Sequence, residues 1–535
     1  MTAEGATPVE LTPFATPQAA LARQAAERGE APALIFPETG ARLDFAGWHA
    51  ESEALARGLL ARGLEPGDHV ALLAENRVEW PVAQLAVAMM GGVLVPLNTH
   101  YRAEELRYAL DQSESTALLL SPRFRAHDYL GMAAALAPAL PKLELVVPFG
   151  EGERGFAGHR ALIADGRRRG GTLPAVEPTA PAALLYTSGT TGRPKGALLT
   201  HRAMLGNAWQ TARRLGFRAG DRYTSIIPLF HCAGCILGLL GSLQTGAAYV
   251  GVPAFDPEAL FRVIEKERCT LMSGVPTSYL AMLRHPARPR HDLSSLRAGS
   301  CGGADANPEV LAECARAFPM PGLAQVYGQT EAATLISCPS FDDPERFATA
   351  GFPLPGHEVR VTDPSTRAIL PRGEIGQIEA RGPMVMLGYY NKPIETAETI
   401  DPEGWLLSGD LGYLTPEGRV VIAGGRLRDM IIRGGENIYP VEIEQVLASH
   451  PAVAEAAVFG LPDEYYGEIV AAAIRFKGEP PAAAAITAYC AERLAKFKAP
   501  VRVFAVERFP LTASGKIRKT ELEEMARTGA LEPLP

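Results

Sequence analysis

Apolar runs of strand length alternate with helix-patterned stretches through most of this 535-residue chain, and that alternation narrows the available folds more than any other feature. HVALLAEN leads to VAQLAVAMMGGV. TALLLS, LELVVPF, YTSIIPL and AAYVGVP follow, and DPEALFRVIEKER then reads as a helix. Such alternation predicts α/β layers with mostly parallel sheets. Near residue 350 the strands shorten to HEVRVTD, EIGQIEARG and RVVIAGG, broken by Gly, Pro and Asp-Pro, which predicts a smaller β-rich subdomain.

GGRLRDMIIRGG, with a glycine pair at each end, has the composition of a hinge. Beyond it a helix in PVEIEQVLASH, strands in VAEAAVFGL and EIVAAAIRF, a helix in ITAYCAERLAKF and a strand in VRVFAVERF make an independent α+β domain. PPAAAA reads as a loop entering the second helix. The expected division is 1–425, a hinge at 426–430, and 431–535.

Single cores stop growing near roughly 250 to 300 residues, so a chain of this length, 47% hydrophobic, is expected to be multidomain. A net charge of −8 offers no global attraction to nucleic acid or anionic lipid. Neither end reads as a targeting signal, and the most apolar run, AGCILGLLGSL, is well short of the roughly 20 residues a bilayer needs. That run is expected to be a buried helix, and the chain a cytoplasmic enzyme. Seven scattered cysteines form no disulfide framework and suit a reducing compartment. HCAGC, His231 to Cys235, has ligand-like spacing without a second ligand pair, leaving a metal site and a pair of small buried thiols as alternatives.

YTSGTTGRPKG, Tyr186 to Gly196, packs glycines, hydroxyls and one lysine between two apolar runs. It fails the P-loop pattern because Gly196 follows Lys195, and AALLY before it and GALLT after it both read as strands. Phosphate would be held by backbone N–H groups and the hydroxyls of Thr187, Ser188, Thr190 and Thr191, with Lys195 adding charge. A flexible hairpin loop is the bland alternative.

The same string resembles the phosphate-loop motif of the adenylate-forming (ANL) superfamily, which includes acyl-CoA synthetases. Further matches follow in family order: PLFHCAG at 228–234, GGA at 302–304, YGQTE at 327–331, SGDLGY at 408–413, GRLRDMIIRGGENIYPVEIE at 425–444 and PLTASGKIRK at 510–519. The resemblance implies a large N-terminal domain of layered α/β sheets plus a β-rich subdomain, with a small mobile α+β C-terminal domain. It implies ATP, Mg²⁺ and coenzyme A, a small carboxylic acid as partner and no nucleic acid, with a homodimer as an option.

By the same resemblance, ATP is held by Thr187, Ser188, Gly189, Thr190, Thr191, Gly192, Lys195, Gly302, Gly303, Ala304, Tyr327, Gly328, Thr330, Asp410, Arg426 and Lys516. Tyr327 lies against adenine, Asp410 takes the ribose hydroxyls, and Glu331 binds Mg²⁺, a hard cation that prefers oxygen ligands. Lys516 stabilises the charge that develops when a carboxylate attacks the α-phosphate; Thr190, Glu331 and His231 join it as catalytic residues. The C-terminal domain turns about Arg428, where most relatives carry Asp or Lys, and Gly434, Gly435 and Glu436 line the CoA path. Arg433, Lys477, Lys496 and Lys498 are candidates for the CoA phosphates.

The acyl pocket implied is His231, Cys232, Gly234, Gly303 and Gly328, with Ala233, Gly234, Gly238 and Gly241 leaving an elongated apolar channel. No Lys, Arg, Asp or Glu lies between Phe230 and Tyr249, which favours a monocarboxylate with an apolar tail. The resemblance points to an ATP-dependent medium-chain acid:CoA ligase working through acyl-AMP. The alternatives are an aromatic or alicyclic acid, loading of a separate carrier-protein thiol, and a nucleotide-binding protein without turnover.

Overall fold

The computed structural model describes residues 10–187, 194–303, 306–433, 436–463, 465–512 and 516–535. Among them, two seven-stranded sheets organise the larger part of the chain. In one, Gly322–Gln325, Ala298–Cys301, Leu271–Gly274, Arg222–Ser225, Ala248–Gly251 and Pro32–Phe36 run parallel, and Ala41–Asp44 closes the edge antiparallel. In the other, Pro181–Thr187, Val93–Pro96, His69–Leu73, Ala117–Leu120 and Leu145–Pro148 are parallel, while Lys195–Thr200 and Gly388–Tyr389 add antiparallel neighbours.

Strands such as His69–Leu73, Val93–Pro96 and Ala117–Leu120 are apolar at nearly every position, rather than at every second residue, because both faces are covered. Leu34, Tyr223 and Tyr249 of the first sheet share a core with Leu72, Leu94, Leu185 and Leu199 of the second, across helices that contribute Leu55, Leu85 and Leu205. The opposite faces bury Ile35, Val250 and Met272 under Phe261 and Leu311, and Ala71, Leu73 and Leu118 under Leu106 and Leu130. The result is five layers, helix and sheet in alternation.

Helix starts follow local chemistry. Thr200 ends its strand, and its hydroxyl accepts the Ala203 N–H at 3.1 Å, so Lys195–Thr200 runs straight into the helix His201–Arg214. Asp256 does the same for Pro257–Glu267 through the Ala259 N–H at 2.7 Å. AGCILGLLGSL is buried and helical as expected, but wound as a wide π-helix over Ala233–Leu240 before an α-helical Gly241–Thr245.

The β-rich subdomain is a four-stranded antiparallel sheet of Glu358–Thr362, Gly376–Arg381, Leu406–Leu414 and Val420–Arg426. Val420–Arg426 passes through a 3₁₀ turn at Leu427–Asp429 to Ile431–Arg433, the first strand of the C-terminal sheet. The glycine-flanked segment therefore carries the chain directly from one sheet into the next. In the C-terminal part, Val453–Asp463 and Gly467–Phe476 form a long hairpin, and Arg502–Ala505 joins in parallel. Its second helix spans Ala483–Ala491, so it begins inside PPAAAA and stops short of the expected end. Alanines are strong helix formers, and Ile486 and Cys490, one turn apart, are the residues it buries. No helix among the described residues is long and apolar enough to cross a membrane.

Candidate active site

The C-terminal ends of four parallel strands open onto one crevice. Arg222–Ser225 leads to PLFHCAG, Leu271–Gly274 to Val275, Ala298–Cys301 to Gly302 and Gly303, and Gly322–Gln325 to YGQTE. Such ends are where parallel α/β sheets place their ligands, because the connecting loops diverge there. The antiparallel pair Pro181–Thr187 and Lys195–Thr200, in the second sheet, flanks the glycine-rich loop.

That loop does join two strands. Residues 188–193, and with them Ser188, Gly189, Thr190, Thr191 and Gly192, lie outside the described residues, as do Ala304, Gly434, Gly435 and the side chains of Arg426, Arg428 and Glu436. The flanks of the loop are tied down. Tyr186 donates its hydroxyl to the Ala109 carbonyl at 2.8 Å and to Gln112 Oε1 at 2.7 Å, and Tyr108 donates to the Pro194 carbonyl at 3.0 Å. Helix Ala103–Gln112 thus braces both ends of the loop. Thr187 and Lys195 face each other across the ladder.

In YGQTE, glycine at 328 is a backbone requirement: a Cβ there would lie 2.2 Å from the Thr334 carbonyl oxygen. Asn207, fully buried on helix His201–Arg214, holds the next turn by donating to the Ala332 and Leu335 carbonyls at 3.0 and 2.7 Å. Glu331 is half-buried, and its Oε1 accepts the Tyr389 hydroxyl at 2.7 Å. Lys195 Nζ lies 4.7 Å from the centre of that same ring. Tyr327 donates its hydroxyl to Asp410 Oδ2 at 3.0 Å, and Asp410 is the ladder partner of Arg426.

His231 and Thr330 meet at Cys232, whose Sγ is 3.6 Å from His231 Nδ1 and 3.5 Å from Thr330 Oγ1. Burial pushes this thiol up, but the His231 imidazole and hydrogen bonds with His231 and Thr330 outweigh it and leave the thiol below its ordinary value. His231 Nδ1 also accepts the Ala233 N–H at 3.2 Å, which assigns the proton of a neutral imidazole to Nε2. Asn76 accepts the Leu229 N–H at 2.8 Å, and Gln84 donates to the Cys235 carbonyl at 3.3 Å. Cys232 and Cys235 are buried thiols, and no group of three or more metal-ligating side chains occurs among the described residues.

Two of the four small residues expected to leave an apolar channel are packed closely against the protein itself. A Cβ on Gly234 would lie 2.2 Å from the Pro228 carbonyl oxygen, and one on Gly238 would lie 2.7 Å from the Tyr223 ring. Their missing side chains make room for this protein's own backbone and aromatic ring, so neither opens space for a ligand.

Lys516 reaches the crevice from the C-terminal part. Its N–H is donated to Thr512 Oγ1 at 3.0 Å, and its carbonyl accepts the Thr512 N–H at 2.7 Å. Its Cε lies 3.8 Å from where a Cβ on Gly303 would stand. Of the basic residues considered for CoA phosphates, Lys498 is ion-paired with Glu442 at 2.6 Å, and Arg433 donates to the Phe497 carbonyl at 2.7 Å and stacks on Tyr466.

Sequence reading missed Asn76, Asn207, Tyr186, Gln112 and Tyr389. A polar residue inside an apolar helix, as in HRAMLGNAW, is a signal that would have flagged Asn207; the tyrosines carry no such mark.

Residues 21–390 match the family of AMP-binding enzymes, and residues 442–516 match the AMP-binding enzyme C-terminal domain. The chain belongs to the AMP-binding enzyme family. Within this family it is similar to the putative acyl-CoA synthetase YngI of Bacillus subtilis, with 37% identity across 92% of this chain and 93% of that one. It is 35% identical to the medium-chain acyl-CoA ligase ACSF2 of Danio rerio, a mitochondrial protein, across 92% and 85%. The structure of the anthranilate CoA ligase AuaEII in complex with anthranoyl-AMP superposes with a TM-score of 0.88 at 26% identity, covering 97% of this chain and 98% of that one. This AMP-binding family member is an AMP-forming acid–CoA ligase that uses ATP, Mg²⁺ and coenzyme A.

Proposed function

We propose that the chain activates an apolar monocarboxylic acid of medium length as its acyl-adenylate, releasing pyrophosphate, and then passes the acyl group to CoA. The observation that carries this reading is the stretch from His231 to Ala248, which holds no acidic, Lys or Arg residue and is buried over Gly234–Gln244. A second charge on the acid would find no partner there. The filled space at Gly234 and Gly238 disfavours a long tail along that helix. Similarity to ACSF2 points the same way. An aromatic acid is the second reading, favoured by the superposition with an anthranilate ligase.

In this reading the loop 188–193, Thr187 and Lys195 hold the β- and γ-phosphates, Tyr327 lies along the adenine, and Asp410 accepts from the ribose. Gly302, Gly303 and Ala304 flank the nucleotide, and Arg426 adds a cationic contact. The residues present fit a hard cation: Glu331 would offer a carboxylate oxygen, and, with no cluster of further metal-ligating side chains among the described residues, phosphate oxygens would supply the rest. Bound there, Mg²⁺ neutralises phosphate charge. Lys516 offsets the negative charge that spreads over the α-phosphate as the acid's carboxylate attacks and pyrophosphate departs. His231 shapes the entrance beside the carboxylate.

Thioester formation needs a thiol where Lys516 now stands, so the C-terminal part turns about Arg428 between the steps. Gly434, Gly435 and Glu436 then line the pantetheine path. Seven free, buried cysteines suit a reducing compartment, and the cytoplasm is the location we assign. A pyrophosphate-release screen over straight-chain, branched and aromatic acids, with and without CoA, tests this function. Highest kcat/KM for medium straight-chain acids is expected. Preference for an aromatic acid overturns the chain-length reading, and acyl transfer only to a phosphopantetheinylated carrier protein overturns the CoA reading.

A further inference from the structure

Glu331 does not stand alone at the end of YGQTE. Its Oε1 takes the Tyr389 hydroxyl at 2.7 Å, and its backbone carbonyl takes the Met386 N–H at 2.8 Å. Both partners belong to the segment 386–390, which contains the edge strand Gly388–Tyr389. That strand is laid on the strand leaving the phosphate loop: Ala197 pairs with Tyr389, Leu198 pairs with Gly388, and the Tyr390 N–H reaches the Gly196 carbonyl at 2.8 Å. The ring of Tyr389 is buried, and the Lys195 ammonium sits 4.7 Å from its centre. One side chain therefore touches the carboxylate through its hydroxyl and the loop lysine through its face.

We infer that Tyr389 is the positioning residue for the cation-binding carboxylate, and that it sets the geometry between Glu331 and the phosphate loop. The proposal rests on the reading that Glu331 holds Mg²⁺. A carboxylate on a short 3₁₀ turn, Thr330–Ala332, has rotamer freedom that a ligand would otherwise have to remove. The phenol donates to one oxygen, which fixes the plane of the group while leaving further lone pairs for a cation. The ring face attracts the Lys195 ammonium, which ties that charge to the same tyrosine that holds the carboxylate. The Phe variant separates the two effects, since it keeps the ring and loses the hydroxyl. Tyr390, next in the chain, serves as control because its hydroxyl is spent on the exposed Glu114 at 2.7 Å.

The test measures Tyr389→Phe, Glu331→Gln, the double variant and Tyr390→Phe by two readouts. One is acid-dependent pyrophosphate release as a function of Mg²⁺ at fixed ATP. The other is the rise in melting temperature that ATP produces with Mg²⁺ compared with ATP in EDTA. Tyr389→Phe is expected to raise the half-saturating Mg²⁺ concentration about 10-fold, with kcat recovered at high Mg²⁺, and to lose the Mg²⁺-dependent part of the melting shift at low Mg²⁺. Its unliganded melting temperature should match that of Tyr390→Phe, and the hydroxyl should have no further effect in the Glu331→Gln background. A Mg²⁺ shift for Glu331→Gln without one for Tyr389→Phe overturns the positioning role alone. An equal effect of the Phe change with and without Glu331 also overturns it. An unshifted Mg²⁺ dependence in Glu331→Gln overturns the cation assignment itself, and the proposal with it.

Discussion

The stem of Lys516 lies over Gly303: a methyl group added to that glycine would stand 3.8 Å from the lysine Cε. Gly303 has φ +83°, a conformation that costs other residues roughly 1 kcal/mol, so the turn under the lysine is built for glycine. Lys516, from the C-terminal part, is thus held against the turn that follows the strand Ala298–Cys301. Lys516→Ala is expected to lower acid-dependent pyrophosphate release by roughly 10²- to 10³-fold while CoA still reacts with supplied acyl-AMP. Equal loss of both half-reactions would contradict a lysine that serves only the first.

Gly234→Ala and Gly238→Ala test the packing of the buried π-helix. Each introduces a methyl group into occupied space, against a carbonyl in one case and the Tyr223 ring in the other. Loss of about 1 to 3 kcal/mol in denaturant unfolding is expected for each, with the preferred acid chain length of the surviving enzyme unchanged. A shortened acid preference at full stability would restore the channel reading.

Tyr186→Phe removes the hydroxyl that reaches Ala109 and Gln112 from the strand entering the phosphate loop. A lost buried hydrogen bond is typically worth about 1 kcal/mol, and here it frees one anchor of the loop. The KM for ATP should rise several-fold while the KM for the acid stays put, as steady-state kinetics in each substrate would show. A larger effect on the acid than on ATP would place the anchor elsewhere.

Acid sensitivity has an identifiable source in His201, fully buried at the start of its helix. Burial pushes its pKa from the ordinary 6.5 down to about 4. Folded, it stays neutral; unfolded, it takes a proton below about pH 6.5. Its contribution is therefore fully present above pH 6.5 and is lost as pH falls toward 4, about 3 kcal/mol in all. His357 is pushed the same way by burial, so a His201 variant removes only part of the effect. Denaturant unfolding of His201→Leu at pH 7 and pH 4 should show a smaller acid loss than the unsubstituted chain. Identical pH slopes would rule out this source.

Fold class was legible because strands covered on both faces, such as HVALL and ALLL, are apolar at nearly every position and alternate with helix-patterned stretches. The glycine-rich loop was legible as a strand-to-strand connection for the same local reason. Gly234 and Gly238 read in the sequence as small residues leaving a channel, and the position a Cβ would take on each is filled by Pro228 or Tyr223. Whether a missing side chain makes room for substrate or for the protein itself depends on the element opposite, and Pro228 and Tyr223 are set there by the turn and the sheet.

Local pattern thus determined which residue types this chain brings to phosphate chemistry, since periodicity and motif strings are properties of neighbours in sequence. Only the tertiary structure decided which of them meet. Lys516 comes to lie on Gly303, Tyr389 between Glu331 and Lys195, and Tyr327 on Asp410 because sheet register and domain packing join positions far apart in the chain, and no local periodicity encodes such distances.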